Sequence, residues 1–365
     1  MSEQKKVGIG IIGAGVISQI YLQNLNTVFQ NTRVIGVADI IPAAAQARAE
    51  EFGVLALGVD ELIAHPEVEI ILNLTIPAAH AEIAAKALAA GKHAYNEKPL
   101  ATERADGKQL LATAKEKGLL VGSAPDTFLG GGLQTARKAI DDGLIGKPVG
   151  IDAHMLNHGM EAWHPNPAFF FQPGAGPLFD VGVYYVQALA AILGPFKSVA
   201  AQASISFPER TIGTGPKAGE TVPVNTPTYI SGAVEFKNGV VGTLTASFDV
   251  YETQNAWLTI YGTEGSLRLP DPNTFGGPVF LLKAGETEWE ELPIPFDFTE
   301  NSRGIGISDF ALALKEGRAP RVSGELGYHV LDTMHAFLDS AASGQRVEIE
   351  STFERPSLRN EQFES

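Results

Sequence analysis

Glu97, Lys98 and Pro99 follow directly on KHAYN, a short run that reads as the end of a buried strand. A plain turn would serve at that place, so a lysine there needs a reason. Its ammonium can bond a hydroxyl and stabilise negative charge developing on oxygen. Pro99 disfavours a helical conformation at Lys98 and stiffens the loop. Taken alone, Lys98 is a solvated side chain or a partner for Glu97. A second capable pair stands in FDVGVYY, where Asp180 and Tyr184 are four residues apart and share one face if the segment is helical. Their plain reading is a helix cap and a core tyrosine. A phenol has a reference pKa near 10, about three units too high for a base at neutral pH, and a neighbouring positive charge lowers it. NHGMEAWHPNPAFFF adds His158, Trp163 and His164. Aromatic rings stack on the apolar face of a sugar and imidazoles bond hydroxyls; the plain reading is a packed loop. No carboxylate pair stands near these histidines at ligand spacing, so no metal is expected.

GIIGAGVIS places Gly10, Gly13 and Gly15 at a first strand-to-helix turn. Gly13 and Gly15 fit the first two glycines of a dinucleotide fingerprint, and Ser18 stands where the third would be. The chemistry needs a tight turn and close approach of backbone to a pyrophosphate at a helix N-terminus. Gly13, Gly15, Val16 and Ile17 are therefore expected at a cofactor. Asp39 ends the next strand, where a carboxylate can bond ribose hydroxyls. Ile40 and Ile41 follow it, with no adjacent cation for a 2′-phosphate, so the expected cofactor is NAD. Glycine-rich turns are common, and the plain reading here is a surface turn with a capping aspartate.

The elements that must position these residues alternate through the first third of the chain. VGIGII, RVIGVADI, VEIILNLT, KHAYN and LLVGS read as strands, and SQIYLQNLNTVF, PAAAQARAEEFG, HAEIAAKALAAG and ERADGKQLLATAKEKG as helices. Pro42 suits a first helical turn and Gly53 a C-cap. Such alternation predicts a doubly wound parallel sheet over residues 1–124, covered on both faces. Ligands bind such a sheet at the carboxyl ends of its strands. Gly13 to Val16, Asp39, Thr75 to Pro77, and Glu97 to Pro99 all fall at those ends.

Residues 125–365 read as a second, α/β domain with a large, mostly antiparallel open sheet, for substrate binding and oligomerisation. Its extended runs include KPVGIDAHMLN, SVAAQASISF, TYISGAVEFKNGVVGTLTASFDV and AWLTIYGTEGSLRL. Asn238-Gly239 signals a hairpin with a type I′ turn. The stretch from Pro208 to Pro227 reads as an exposed loop. Apolar and small residues alternate in GVVGTLTASF, which predicts pairing of sheet faces into a homodimer or homotetramer.

The chain has 365 residues, enough for two domains with real cores. With 27 basic and 42 acidic side chains its formal charge is −15, which argues against nucleic-acid and anionic-membrane partners. There is no cysteine, which excludes thiolate chemistry and fits a reducing compartment. The start MSEQKKVGIGIIGAG has the charge pattern of a signal peptide, but its apolar run is broken by glycines. VGVYYVQALAAILGPF is too short to span a bilayer and reads as a buried helix. A cytoplasmic location is expected.

The glycine turn, NLTIPAAH, NEKPLA, GPLFDVGVYY, YGTEGSLRL and the closing DSAASGQRVEI together resemble the Gfo/Idh/MocA family of glucose-fructose oxidoreductase and inositol dehydrogenase. The resemblance spans nearly the whole chain. It implies a Rossmann domain, a polyol or sugar substrate, and an NAD-dependent dehydrogenase acting on a secondary alcohol of a sugar, cyclitol or glycoside. It implies that Lys98 is catalytic and that Glu97, the Thr75–Pro77 turn and His80 lie by the cofactor. His80 reads equally as a helix-start residue with a local hydrogen bond. Family members commonly carry histidine where this chain has Tyr184, so the acid-base group is open between Tyr184 and a loop histidine. Lys98, Asp180 and Tyr184 are expected to act as one unit. Asp126 in SAPDTF is a further departure, where many relatives have an arginine-containing stretch. Two alternatives stand beside this reading: a glycosidase that retains NAD and oxidises its sugar transiently, and a non-catalytic NAD-binding regulator.

Overall fold

A computed structural model describes residues 6–363. Residues 1–5 of the lysine-flanked start lie outside the described residues. The chain divides into two compact units. The first comprises Met1–Leu129, Glu300–Leu331 and Arg359–Ser365, and the second Gly130–Thr299 and Asp332–Leu358. The boundary expected at 124/125 cuts the chain once, whereas these units are discontinuous.

The first unit holds six parallel strands: β1 (Val7–Ile12), β2 (Thr32–Ala38), β3 (Leu55–Ala56), β4 (Ile70–Asn73), β5 (His93–Asn96) and β6 (Val121–Ser123). Their order is β3-β2-β1-β4-β5-β6. The order reverses between β1 and β4, which is the switch point where such sheets bind ligands. The helices are α1 (Ser18–Thr27), α2 (Pro42–Phe52), α3 (Val59–Ala64), α4 (His80–Ala89) and α5 (Arg104–Lys117). All six residues of β1 are buried, as a strand covered on both faces requires. Pro42 opens α2, and Gly53 closes it in the left-handed conformation. The sequence reading missed β3 and α3, because a two-residue strand and a six-residue helix are too short to display a period.

The second unit contains α6 (Gly131–Asp141), β7 (Pro148–Leu156), α7 (Val183–Leu193), β8 (Phe196–Ser204), β9 (Glu209–Thr211), β10 (Thr221–Pro223), β11 (Tyr229–Phe236), β12 (Val241–Ser247), β13 (Leu258–Gly262), β14 (Gly265–Leu269), β15 (Phe280–Lys283), β16 (Glu290–Glu291) and β17 (Val347–Glu348). A nine-stranded sheet runs β16-β15-β14-β13-β7-β12-β11-β8-β17. Every pairing in it is antiparallel except β7 with β12. Along β11, Ile230, Gly232, Val234 and Phe236 are buried while Tyr229 and Ala233 are exposed, the period of a half-covered sheet. Helix α7 is buried at all eleven residues, as a helix apolar on every side must be.

Two expectations are corrected here. Asn238-Gly239 does join two antiparallel strands, but only Gly239 has a positive φ, 90°. Gly239 donates to the Phe236 carbonyl and Phe236 to the Val240 carbonyl, so the turn has a three-residue loop with a glycine bulge instead of type I′. Pro208 to Pro227 is no simple exposed loop: β9 and β10 pair within it and bury Arg210, Ile212 and Val222.

Candidate functional site

The first unit gathers the expected cofactor residues at the carboxyl ends of β1, β2, β4 and β5. Gly13 has φ 110°, and a Cβ there would lie 2.5 Å from the Leu74 carbonyl, so only glycine fits. A Cβ on Gly15 would meet nothing within 4 Å. The need for the first glycine is thus internal, whereas the second opens a space that backbone offers to a ligand. Ser18 is buried and its hydroxyl donates to the Gly15 carbonyl at 2.6 Å, which lets a small polar residue replace the third glycine. Ile17 is half-buried at the start of α1. Large apolar side chains stand exposed just past three neighbouring strands: Val16 at 90%, Ile40 at 91% and Ile76 at 70%. Exposure of that kind is a cost in water and is relieved by a ligand that covers it.

Half-buried Asp39 accepts the backbone N–H of Ala14 at 2.7 Å and of Ile41 at 2.8 Å. A carboxylate has about four lone-pair sites, so two remain for ribose hydroxyls. Tight glycine turn, open Gly15 flank and hydroxyl-accepting carboxylate fit a dinucleotide.

The turns after β4 and β5 are pinned by buried amides that sequence reasoning missed. Asn73 and Asn96 end these two strands in register and are both fully buried. Asn73 Nδ2 donates to Asn96 Oδ1 at 3.0 Å, and its Oδ1 accepts the Thr75 hydroxyl at 2.6 Å. Asn96 Nδ2 donates to the Leu100 carbonyl at 2.8 Å. The available signal was one asparagine at the same place in two adjacent strands. His80 is 1% exposed, with Nδ1 at 2.6 Å from the Pro99 carbonyl and Nε2 at 3.1 Å from the Thr75 carbonyl. Burial lowers its pKa, although the carbonyl bonds oppose this. Both ring nitrogens thus face carbonyls, and a neutral imidazole, with one N–H, donates to only one of them, so His80 links the start of α4 to either the Thr75 turn or the Lys98-Pro99 turn. Pro77 is exposed, and Thr75, Glu97 and Lys98 are half-buried. Asp126 is buried and accepts the N–H groups of Gly304 and Gly306 at 2.9 and 3.0 Å, at the start of the helix Ile305–Glu316. Burial raises its pKa to about 6.

In the second unit Asp180 lies in a π turn, Leu178–Gly182, that leads into α7. Such widened turns recur at functional sites. Tyr184 is buried in the first turn of α7 and Asp180 is half-buried. Tyr185, its neighbour, donates to Asp271 at 3.0 Å, and burial with that carboxylate pushes its phenol far up, which removes it as a base.

The aromatic loop forms two groups. His158 stacks on Tyr251, with centroids 3.6 Å apart. Trp163 and His164 meet edge-on at 5.6 Å, and His164 also contacts Phe169 and Phe170. His164 Nδ1 accepts the Asn166 N–H at 3.1 Å, so a neutral ring carries its proton on Nε2. Trp163 is 62% exposed and Tyr251 is 80% exposed. The loop is anchored by an ion triad the sequence did not reveal. Buried Arg210 pairs with Glu161 at 2.7 Å and with Asp249, and donates to the Phe248 carbonyl at 3.0 Å. Among the described residues no group of three or more His, Cys, Asp or Glu is placed to hold a metal ion, and no helix is long and apolar enough to cross a membrane.

Residues 7–124 match the family model described as oxidoreductase family, NAD-binding Rossmann fold, and residues 133–268 match that of the GFO/IDH/MocA C-terminal domain. The chain is 27% identical over 313 residues to 1,5-anhydro-D-fructose reductase of Ensifer adhaerens, spanning 84% of this chain and 88% of that protein. It is 26% identical to levoglucosan dehydrogenase of Pseudarthrobacter phenanthrenivorans, spanning 86% and 88%. It is 25% identical to myo-inositol 2-dehydrogenase of Thermotoga maritima, spanning 94% and 98%. Among solved structures, levoglucosan dehydrogenase in complex with NADH and L-sorbose shares the fold with a TM-score of 0.81 at 24% identity, covering 95% of this chain and all of that one.

Proposed function

Because this chain belongs to the GFO/IDH/MocA family of oxidoreductases, with an NAD-binding Rossmann domain, we propose that it oxidises a secondary alcohol of a sugar, cyclitol or glycoside. The observation that carries this reading is the edge of the parallel sheet, where the open flank of Gly15, the Asp39 carboxylate and Lys98 follow β1, β2 and β5 of one sheet. Gly13, Gly15, Val16 and Ile17 hold the pyrophosphate end of NAD. Asp39 takes the ribose hydroxyls, and Thr75, Pro77 and Glu97 line the next two turns. Bound NAD supplies the acceptor for the hydride that leaves the carbinol carbon.

The rest of the chemistry belongs to side chains. Lys98 bonds the reacting hydroxyl and stabilises charge on its oxygen. Tyr184 takes the hydroxyl proton. Asp180 orients the substrate. The exposed faces of Trp163 and of Tyr251 on His158 suit the apolar face of a sugar ring. His164, with Nε2 protonated, suits a sugar hydroxyl. The partner is thus a small polyol or sugar.

The test is NADH formation at mildly alkaline pH across sugars, cyclitols and glycosides, beginning with levoglucosan and myo-inositol. Reduction of NAD by at least one of them is expected; stoichiometric NAD binding with no turnover across the panel would overturn the reading. The face of the nine-stranded sheet that shows Tyr229, Ala233, Val241 and Tyr261 supports self-association as a homodimer or homotetramer. A stable monomer in sedimentation at micromolar concentration would refute that.

A further inference from the structure

Tyr21 has no part in the chemistry above, yet it is among the largest fully buried side chains and its hydroxyl is committed. It stands in the first turn of α1, the helix that the glycine turn launches. Its phenol donates to Glu97 Oε1 at 2.7 Å, and the other carboxylate oxygen, Oε2, accepts the backbone N–H of Lys98 at 2.9 Å. The Glu97 N–H in turn donates to the Asn73 carbonyl at 2.9 Å. One carboxylate therefore joins the helix at the dinucleotide turn to the backbone of the residue read as catalytic. Burial and the nearby Glu97 and Asp126 charges hold the Tyr21 phenol well above its ordinary pKa, so it stays a proton-bearing donor at any working pH. It can hold Glu97 but cannot exchange protons with a substrate. A bond from a hydroxyl to a carboxylate is of the stronger, charge-assisted kind.

We propose that Tyr21 is a positioning residue for Lys98, acting through Glu97, so that the placing of Lys98 is set by helix α1. The inference rests on the reading of Lys98 as a catalytic group. Misplacing a catalytic group by about 1 Å can cost about a hundredfold in rate.

Tyr21→Phe keeps the ring and removes only the hydroxyl. With whichever panel compound yields NADH, kcat is expected to fall about 10- to 100-fold, while KM for NAD and for the sugar stay near their wild-type values. Hydrogen exchange by mass spectrometry on the NAD-free protein reads the same contact without turnover. The amides of residues 97 and 98 should exchange faster in Tyr21→Phe while those of β1 do not change. In a Glu97→Gln background, Tyr21→Phe should add little, since the two act on one contact. Wild-type kcat with unchanged exchange at 97 and 98 overturns the proposal, as does faster exchange spread evenly through the unit, which marks a purely structural residue. Lys98→Ala separates the two claims. If that variant keeps turnover, the catalytic reading of Lys98 falls and this inference with it. If it is inactive while Tyr21→Phe is normal, only the positioning role falls.

Discussion

The edge of the parallel sheet and the aromatic loop of the second unit are fixed by opposite means. At the edge, turns after β4 and β5 are held by neutral amides, Asn73 and Asn96, which bond each other across the two strands and meet backbone carbonyls 7 and 4 residues away. In the loop, a charged triad of Arg210, Glu161 and Asp249 reaches across 49 and 39 residues of sequence. Neutral bonds cost little to bury when satisfied, and losing one exposes a partner worth only a modest penalty. Buried ions are different: the intact set is near break-even, but removing one member strands the others. The edge is therefore a tolerant frame that keeps turns in place for a cofactor, and the loop is an all-or-none latch that sets where His158 and Trp163 stand.

The largest expected effect concerns chemistry. Lys98→Ala, Tyr184→Phe and Asp180→Asn should each lower turnover by about two to four orders of magnitude while NAD still binds, with losses far from additive. Steady-state kinetics with binding monitored by NADH fluorescence checks this. Near-normal turnover and pH dependence in Tyr184→Phe would move the base to His164 or His158.

Next comes the latch. Arg210→Met should destabilise the second unit by about 3–5 kcal/mol, because Glu161 and Asp249 remain buried without their cation. Asn73→Ala should cost the first unit only about 1–3 kcal/mol. Thermal or denaturant unfolding of both variants breaks the comparison if the two losses are equal.

A third test uses pH. Burial raises the Asp126 pKa from 3.8 to about 6, so the folded state favours its protonated form. Its contribution to stability is therefore full below the ordinary carboxylate range and is lost as pH rises from about 4 to 6, a loss of roughly 3 kcal/mol at about 1.4 kcal/mol per pH unit. Asp126→Asn keeps an oxygen for the Gly304 and Gly306 N–H groups and removes the titration. Unfolding free energies at pH 4, 5 and 7 should show that its stability relative to wild type improves as pH rises; a constant difference would refute the assignment.

The smallest effect is coenzyme choice. NAD should bind more tightly than NADP, since a 2′-phosphate would face Asp39. Asp39→Ala with Ile40→Arg should close the gap by about tenfold, or about 1.4 kcal/mol. Titration of both coenzymes decides it, and equal use of them by the unaltered protein would sink the reading of Asp39.

How much of this was legible follows from the range of each interaction. The glycine turn, Asp39 and the Glu97-Lys98-Pro99 turn were readable because period and punctuation locate strand ends, and a parallel sheet puts all such ends on one edge. The apolar character of VGVYYVQALAAIL told of a buried helix for the same local reason. The paired asparagines carry no period, and only their register, Asn73 opposite Asn96, makes them a pair. Nor does the sequence show that the His80 ring nitrogens face the Pro99 and Thr75 carbonyls, 19 and 5 residues away.

The sequence alone determined the two classes of sheet, the tight glycine turn and where the strands of the parallel sheet end, because each depends on neighbours within a few residues and on patterns of two or 3.6. Only the tertiary structure decided that Tyr21 grips Glu97 from 76 residues away, that Asp126 caps a helix 178 residues on, and that Arg210 closes the loop bearing His158 and Trp163. The physical reason is that a buried polar group must find a partner wherever packing supplies one, and separation along the chain places no limit on where that is.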